Sequence, residues 1–238
     1  MANSYFQFKQ FKITQDHCAM KVGTDGVLLG AWAPLKKSCK VLDIGTGTGL
    51  VALMLAQRCS SACIEAIDID ESAVAQAREN VADSPWPERV DVCQMDVKNA
   101  PQTWKETFDC IVSNPPYFVD SLKCPDKSRM VARHTAELDF PALAKSASFL
   151  LNEEGMFSVV LPADAYTSFV SSCLREGLHL QRVLWVHTKP DIPAKRVLMT
   201  FVKQAVDETE QEHLTVEVSR HVYSPEYVSL LKDFYLKL

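Results

Sequence analysis

A short apolar run, Lys40-Val41-Leu42-Asp43-Ile44, stops at Gly45-Thr46-Gly47-Thr48-Gly49, and a stretch rich in Leu, Ala and Met runs on to Arg58. This order reads as a buried strand, a glycine turn and a helix. In that setting alternate glycines let the chain turn tightly and let a ligand approach bare backbone. Further units of the same kind follow. Residues 63–69 read as a strand, and 71–82 as a helix with Ala73, Val74, Ala77 and Val81 along one face. Strands are expected at 89–95, 108–113, 156–161, 180–187 and 196–203, and helices at 140–151 and 163–175. Strand–helix alternation of this length predicts an α/β fold, a parallel sheet of seven strands with helices on both faces. No linker rich in Pro, Gly or Ser divides the chain, so residues 1–238 read as one domain. Gln204 to Gln211 reads as an exposed hairpin loop, and Pro225 to Leu238 as a packing helix.

Composition narrows the classes. With 238 residues, 47% hydrophobic and 23% charged, the chain is that of a soluble globular protein whose core needs no staples. A net charge of -5 does not advertise nucleic-acid binding, but binding follows a local patch and not the sum. The eight cysteines (Cys18, Cys39, Cys59, Cys63, Cys93, Cys110, Cys124 and Cys173) form no C-x-x-C pair, and no His stands at zinc-finger spacing. They read as reduced thiols acting as small core residues, with no metal site. The N-terminal residues lack the pattern of a signal peptide, and no apolar run approaches the ~20 residues of a membrane span. The cytoplasm is the expected location.

The spacing of the glycine loop is selective. In the dinucleotide fingerprint G-x-G-x-x-G the third glycine would fall at Leu50, so that reading fails. No Gly-Lys-Ser or Gly-Lys-Thr follows, so it is not a P-loop either. An acid, Asp43, heads the loop, which suits a ligand carrying an amine and no phosphate. About twenty residues on, the second strand ends in Asp68-Ile69-Asp70, where an acid reaches ribose hydroxyls in nucleotide-binding α/β folds. Asp68 is the candidate, and Asp70 can instead cap the following helix. The third strand ends at Met95-Asp96. Asp43-x-Gly45-x-Gly47-x-Gly49 resembles motif I of class I S-adenosylmethionine-dependent methyltransferases. The resemblance implies a Rossmann-like seven-stranded sheet, S-adenosylmethionine as cofactor, and a contact from Asp96 to its adenine amino group.

A second motif, Asn114-Pro115-Pro116-Tyr117, directly follows the apolar strand ending in Ser113. The amine of adenine is a poor nucleophile because its lone pair is delocalised into the ring. The Asn114 side-chain oxygen and a backbone carbonyl held by Pro115 can each accept one N–H, favouring a nitrogen whose lone pair points at a methyl donor. Tyr117 can stack on a flat base, worth roughly 1–3 kcal/mol by analogy with other base–aromatic pairs. Such catalysis is alignment and polarisation, without a strong base. NPPY-type motifs resemble those of enzymes that methylate adenine N6, guanine N2 or glutamine amide nitrogen, all planar NH2 groups.

The segment Lys21-Val22-Gly23-Thr24-Asp25-Gly26-Val27-Leu28-Leu29-Gly30-Ala31-Trp32 resembles the N-terminal part of bacterial adenine-N6 methyltransferases acting on valine tRNA. The likeness continues through NPPY and Ala132-Arg133-His134 to Leu231-Lys232-Asp233-Phe234-Tyr235. It implies that residues 1–38 cover cofactor and substrate, with Lys21, Gly23 and Thr24, and also Asn114, touching the cofactor. A helix N-cap is the plain alternative for Thr24 and Asp25. Lys123, Lys127, Arg129, Arg133 and His134, with Lys189, Lys195 and Arg196, are candidates for gripping tRNA phosphates. A solvated basic loop would look the same. A loop base in tRNA is already unpaired, so bringing it into a pocket costs less than flipping it from a duplex. A monomer is expected. His17, His179, His187, His213 and His221 show no partners in the sequence. Alternatives are a glutamine N5-methyltransferase acting on a translation factor, a DNA adenine methyltransferase, and a non-catalytic cofactor- or RNA-binding module.

Overall fold

The structure is a computed structural model and describes residues 4–16, 21–37, 39–116 and 138–238. It begins with a small hairpin, β1 (Tyr5–Gln7) and β2 (Lys12–Thr14), followed by helix α1 (Thr24–Trp32). Then come β3 (Lys40–Ile44), α2 (Leu50–Arg58), β4 (Cys63–Asp68), α3 (Glu71–Ala82), β5 (Val90–Gln94) and β6 (Phe108–Ser113). The later part holds α4 (Phe140–Leu150), β7 (Leu151–Pro162), α5 (Tyr166–Arg175), β8 (His179–His187), β9 (Arg196–Val202) and β10 (Glu210–Thr215). A second small hairpin, β11 (Glu217–Ser219) and β12 (Val222–Tyr223), leads into α6 (Pro225–Leu231).

β3 and β6, the strands that lead into the glycine loop and the asparagine motif, are short and apolar, and they lie in the middle of the sheet with cover on both faces. Their side chains alternate. Val41, Ile64, Ala66, Cys110, Val112 and Leu198 join one core with α1, α2, α3 and α6. Leu42, Ile67, Ile111, Val159, Met199 and Phe201 join a second core with α4 and α5 on the other face. The expected layering of helices on both faces is therefore present.

The main sheet has eight strands, not seven, in the order β10-β8-β9-β7-β6-β3-β4-β5. It is mostly parallel; β9 runs antiparallel to both β7 and β8. Residues 188–195 are too few for a crossover of a dozen or more, so β8 and β9 must form a hairpin. The extra strand is β10. The expected hairpin loop does turn the chain back, but β9 already has β8 beside it. The chain lands one strand further out, where β10 pairs parallel to β8. Only Leu214 of β10 is buried, so its sequence carries no apolar alternation. Polar contacts hold it instead: Arg182 pairs with Glu212 and lies 4.5 Å over the Trp32 ring, while Trp32 Nε1 donates to Glu212 at 3.2 Å. The C-terminal helix is also shorter than expected. It ends at Leu231, and Tyr235 then bridges to Phe8.

The strand order positions the site. After β5 the chain crosses to the opposite side of β3, so β3 and β6 are neighbours while the sheet grows away from them in both directions. Such a switch point opens a crevice at the carboxyl ends of the strands. Among the described residues no helix is long and apolar enough to cross a membrane.

Candidate active site

The glycine loop fills one side of that crevice. Gly45, Gly47 and Gly49 all have positive φ, at 73°, 57° and 81°, a region costly for residues with a Cβ. A Cβ at Gly45 or Gly47 would meet nothing within 4 Å, whereas one at Gly49 would touch Ala77 of α3 at 3.5 Å. The first two glycines thus leave open space beside bare backbone, and the third lets α3 pack closely. The amides of Gly45 and Thr46 both donate to the Ile67 carbonyl, at 2.8 and 3.0 Å, tying the loop to the end of β4.

Two carboxylates brace this loop. Asp43 is 1% exposed and sits beneath it, accepting from Thr46 Oγ1 at 2.7 Å and from the Ala52 amide at 3.2 Å. Burial pushes its carboxyl up to about 7, against the lowering effect of those two donors. Asp68 closes the loop from β4: one oxygen accepts from the Gly47 amide at 2.8 Å and the other from the Asp70 amide at 3.0 Å. Asp70 caps α3, accepting from the Ser72 amide at 2.9 Å, the capping role open to it from sequence. Asp96, next to Met95 whose amide donates to the Asp68 carbonyl at 2.9 Å, caps a short 3-10 turn and pairs with Lys98 at 3.4 Å.

The asparagine motif forms the other side. Ser113, at the end of β6, donates its hydroxyl to the Ile44 carbonyl at 2.9 Å, fixing the two strand ends together. Asn114 follows, half-buried, and Pro115 is buried. A Cβ on Gly26 would lie 3.7 Å from Nδ2 of Asn114 and 3.2 Å from Leu50, so the first turn of α1 lies beside Asn114 and the start of α2. The Asn114 amide therefore lies next to the residues that leave the glycine loop. Lys21, Gly23 and Thr24 are exposed just ahead of that turn. The cap position of α1 is Gly23, with no side-chain cap, and Thr24 is the first helical residue. The N-cap reading of Thr24 and Asp25 is corrected accordingly. Gln15 accepts from the Val22 amide at 2.8 Å and steadies this approach.

Of the basic residues singled out from sequence, Lys189 and Lys195 are exposed. Arg196 instead donates from Nε to Asp25 at 2.8 Å. Tyr117, Lys123, Lys127, Arg129, Arg133 and His134 lie outside the described residues. The cysteines among the described residues are thiols, and burial raises Cys39 and Cys110 to about 11 and 12, which suits inert packing groups. His187 and His213, without visible partners in the sequence, hydrogen-bond each other at 3.0 Å. The sequence also concealed Asn80, a buried polar residue on α3 bonded to the glycine loop. Its place among the polar positions of an amphipathic helix gave no signal.

The open space beside Gly45 and Gly47, the acids at the ends of β4 and β5 and a loop without a phosphate-binding Lys suit a nucleoside ligand with an amino-acid part. Comparison with known proteins agrees. Residues 22–166 match the family model "Methyltransferase small domain". A protein of Phocaeicola vulgatus named tRNA1(Val) (adenine(37)-N6)-methyltransferase is 57% identical over 100% of both chains. Proteins of the same name from Bacteroides fragilis and Serratia proteamaculans are 53% identical over 100% of both chains, and 45% over 97% of this chain and 89% of theirs. The fold is similar to the crystal structure of a predicted O-methyltransferase from Agrobacterium tumefaciens, with TM-score 0.67, 19% identity, and 88% and 96% of the two chains covered. It is also similar to a geranyl diphosphate methyltransferase in complex with GPP and sinefungin, with TM-score 0.54, 14% identity, and 74% and 76% covered.

Proposed function

Since this chain belongs to the methyltransferase small-domain family, we propose that it transfers a methyl group from S-adenosylmethionine to the N6 of an adenine in the anticodon loop of valine tRNA. The adenine is the one at position 37 for which its relatives are named. One observation carries the reading: β3 and β6 are adjacent, so the glycine loop and Asn114-Pro115 face one crevice. It works as a cytoplasmic monomer, with residues 1–238 forming one domain.

S-adenosylmethionine, when bound, supplies an already activated methyl group. The work left to the protein is alignment and polarisation. Gly45 and Gly47 present bare backbone to the cofactor, and Asp68 and Asp96 receive its ribose and adenine. Asp43 holds the loop shape from below. Lys21, Gly23 and Thr24 cover the amino-acid end. Asn114 accepts one N–H of the target amine and the carbonyl of Pro115 accepts the other, so the nitrogen lone pair turns toward the methyl donor. Tyr117 stacks on the base. Lys189 and Lys195, together with Lys123, Lys127, Arg129, Arg133 and His134, grip the RNA backbone.

The test is to incubate the protein with methyl-labelled S-adenosylmethionine and unmodified total tRNA, then digest the RNA to nucleosides. Label in N6-methyladenosine supports the reading. Label found only in protein, or only in another nucleoside, rejects it.

A further inference from the structure

We infer that Asp25 and Arg196 form a clamp that seats the first turn of α1 on Asn114, making Arg196 a positioning residue and not an RNA contact. The inference deepens the methyl-transfer reading and rests on it for the meaning of Asn114.

Arg196 is well placed to be the fixed end. It opens β9, where it stands in register with Pro162 at the end of β7 and with Val186 of β8. The neighbouring Lys195 amide donates to the Val186 carbonyl at 2.9 Å, and the Ala163 amide donates to the Lys195 carbonyl at 3.2 Å. The backbone beneath the guanidinium is thus pinned to two strands. From there Nε reaches Asp25 at 2.8 Å, while Nη1 donates to the Lys195 carbonyl at 3.0 Å. The guanidinium is held at both ends, and its side chain is 32% exposed against 21% for Asp25.

Asp25 is the other end. It lies in the first turn of a helix whose cap residue, Gly23, makes no side-chain cap bond. A carboxylate there complements the exposed amides of the turn, and its partner arginine fixes where the turn sits. The next residue, Gly26, lies beside both Asn114 and Leu50: a Cβ there would be in ordinary contact with Asn114 Nδ2 at 3.7 Å and tight against Leu50 at 3.2 Å. A displacement of Asp25 is passed one residue along to the amide that polarises the target nitrogen. The turn before it carries Lys21 and Gly23, so the cofactor side moves as well.

The test compares Arg196→Ala, Arg196→Lys, Asp25→Ala, the double alanine variant and the exchanged pair Asp25→Arg/Arg196→Asp. Single-turnover methylation, tRNA affinity across a salt series, and amide hydrogen exchange over residues 23–27 are measured for each. Either alanine variant should slow methylation by roughly tenfold or more, with tRNA affinity within about twofold of wild type. The double variant should be no worse than the singles, and the lysine and exchanged variants should recover part of the rate. Exchange over residues 23–27 should quicken in the alanine variants. Additive losses would overturn the clamp. So would weaker, less salt-sensitive tRNA binding in Arg196→Ala alone, the mark of a lost phosphate contact. If wild-type protein methylates no tRNA, the functional reading fails by itself. The exchange data then still decide the clamp, because unchanged protection of residues 23–27 in Arg196→Ala would reject it.

Discussion

Nδ2 of Asn80 donates to the carbonyl of Thr48 at 2.9 Å, and the same side chain holds the carbonyl and amide of Thr14 at 2.9 and 2.8 Å. One buried amide thereby joins α3, the glycine loop and the N-terminal hairpin. Asn80→Ala leaves several buried polar groups without partners and should destabilise the protein by roughly 2–4 kcal/mol. Urea unfolding measures this directly. Calorimetry should also show weaker S-adenosylmethionine binding, since the loop loses its support. A stability loss below about 1 kcal/mol would mean that water or a shifted backbone replaces the bonds.

Asn114→Ala should lower single-turnover methylation by about 100-fold or more, by analogy with the loss of one preorganised polar group at a reacting centre. Cofactor affinity should stay within a factor of about three, because the glycine loop is untouched. A variant that keeps most of its rate would remove the amide from the chemistry.

Gly47 and Gly49 offer a matched pair. Both have positive φ, so alanine at either should cost on the order of 1–2 kcal/mol of stability. Only at Gly47 does the added methyl enter open space over the loop; at Gly49 it makes an ordinary contact with Ala77. Gly47→Ala should therefore lose tenfold or more in cofactor affinity, about 1.4 kcal/mol or beyond, and Gly49→Ala distinctly less. Equal losses in calorimetry would show that backbone strain alone governs binding.

Asp43 predicts a pH dependence. Its carboxyl is raised from an ordinary 3.8 to about 7 by burial, so between those values the unfolded chain has released a proton that the native protein keeps. Stability falls as pH rises through that window and levels off above it. Asp43→Asn has no proton to lose. Its melting temperature, relative to wild type, should climb by about 5–10 °C from pH 5 to pH 8. A difference that is constant with pH would place Asp43 back in the ordinary carboxylate range.

Much of the frame was legible because its signals are local. The run Ala73, Val74, Ala77 and Val81 marks α3, and all four are buried on it. The glycines and Asn114 are legible for the same reason: each sits directly after an apolar strand, and neighbouring strands bring the two ends together. What stayed hidden depends on distant partners. β10 is polar except at Leu214 and is held by Arg182 and Trp32. The direction of β9 follows from a short link, not from its residues. Arg196 resembles any basic residue beside a loop until its bond to Asp25, far back in the chain, is seen. The last turn of the expected C-terminal helix is lost to pairing with Phe8, which its own spacing could not announce.

That pairing has a reach beyond the tail. Lys9 donates its amide to Phe234 at 2.8 Å, Phe8 bridges to Tyr235, and the same hairpin hands its Thr14 backbone to Asn80. The polypeptide is buckled like a belt, and through Asn80 the buckle is tied to the glycine loop at Thr48. Nicking the chain behind Leu231 should loosen the loop that Asn80 ties to this hairpin while the eight strands are still intact, so donor affinity should fall together with the melting temperature.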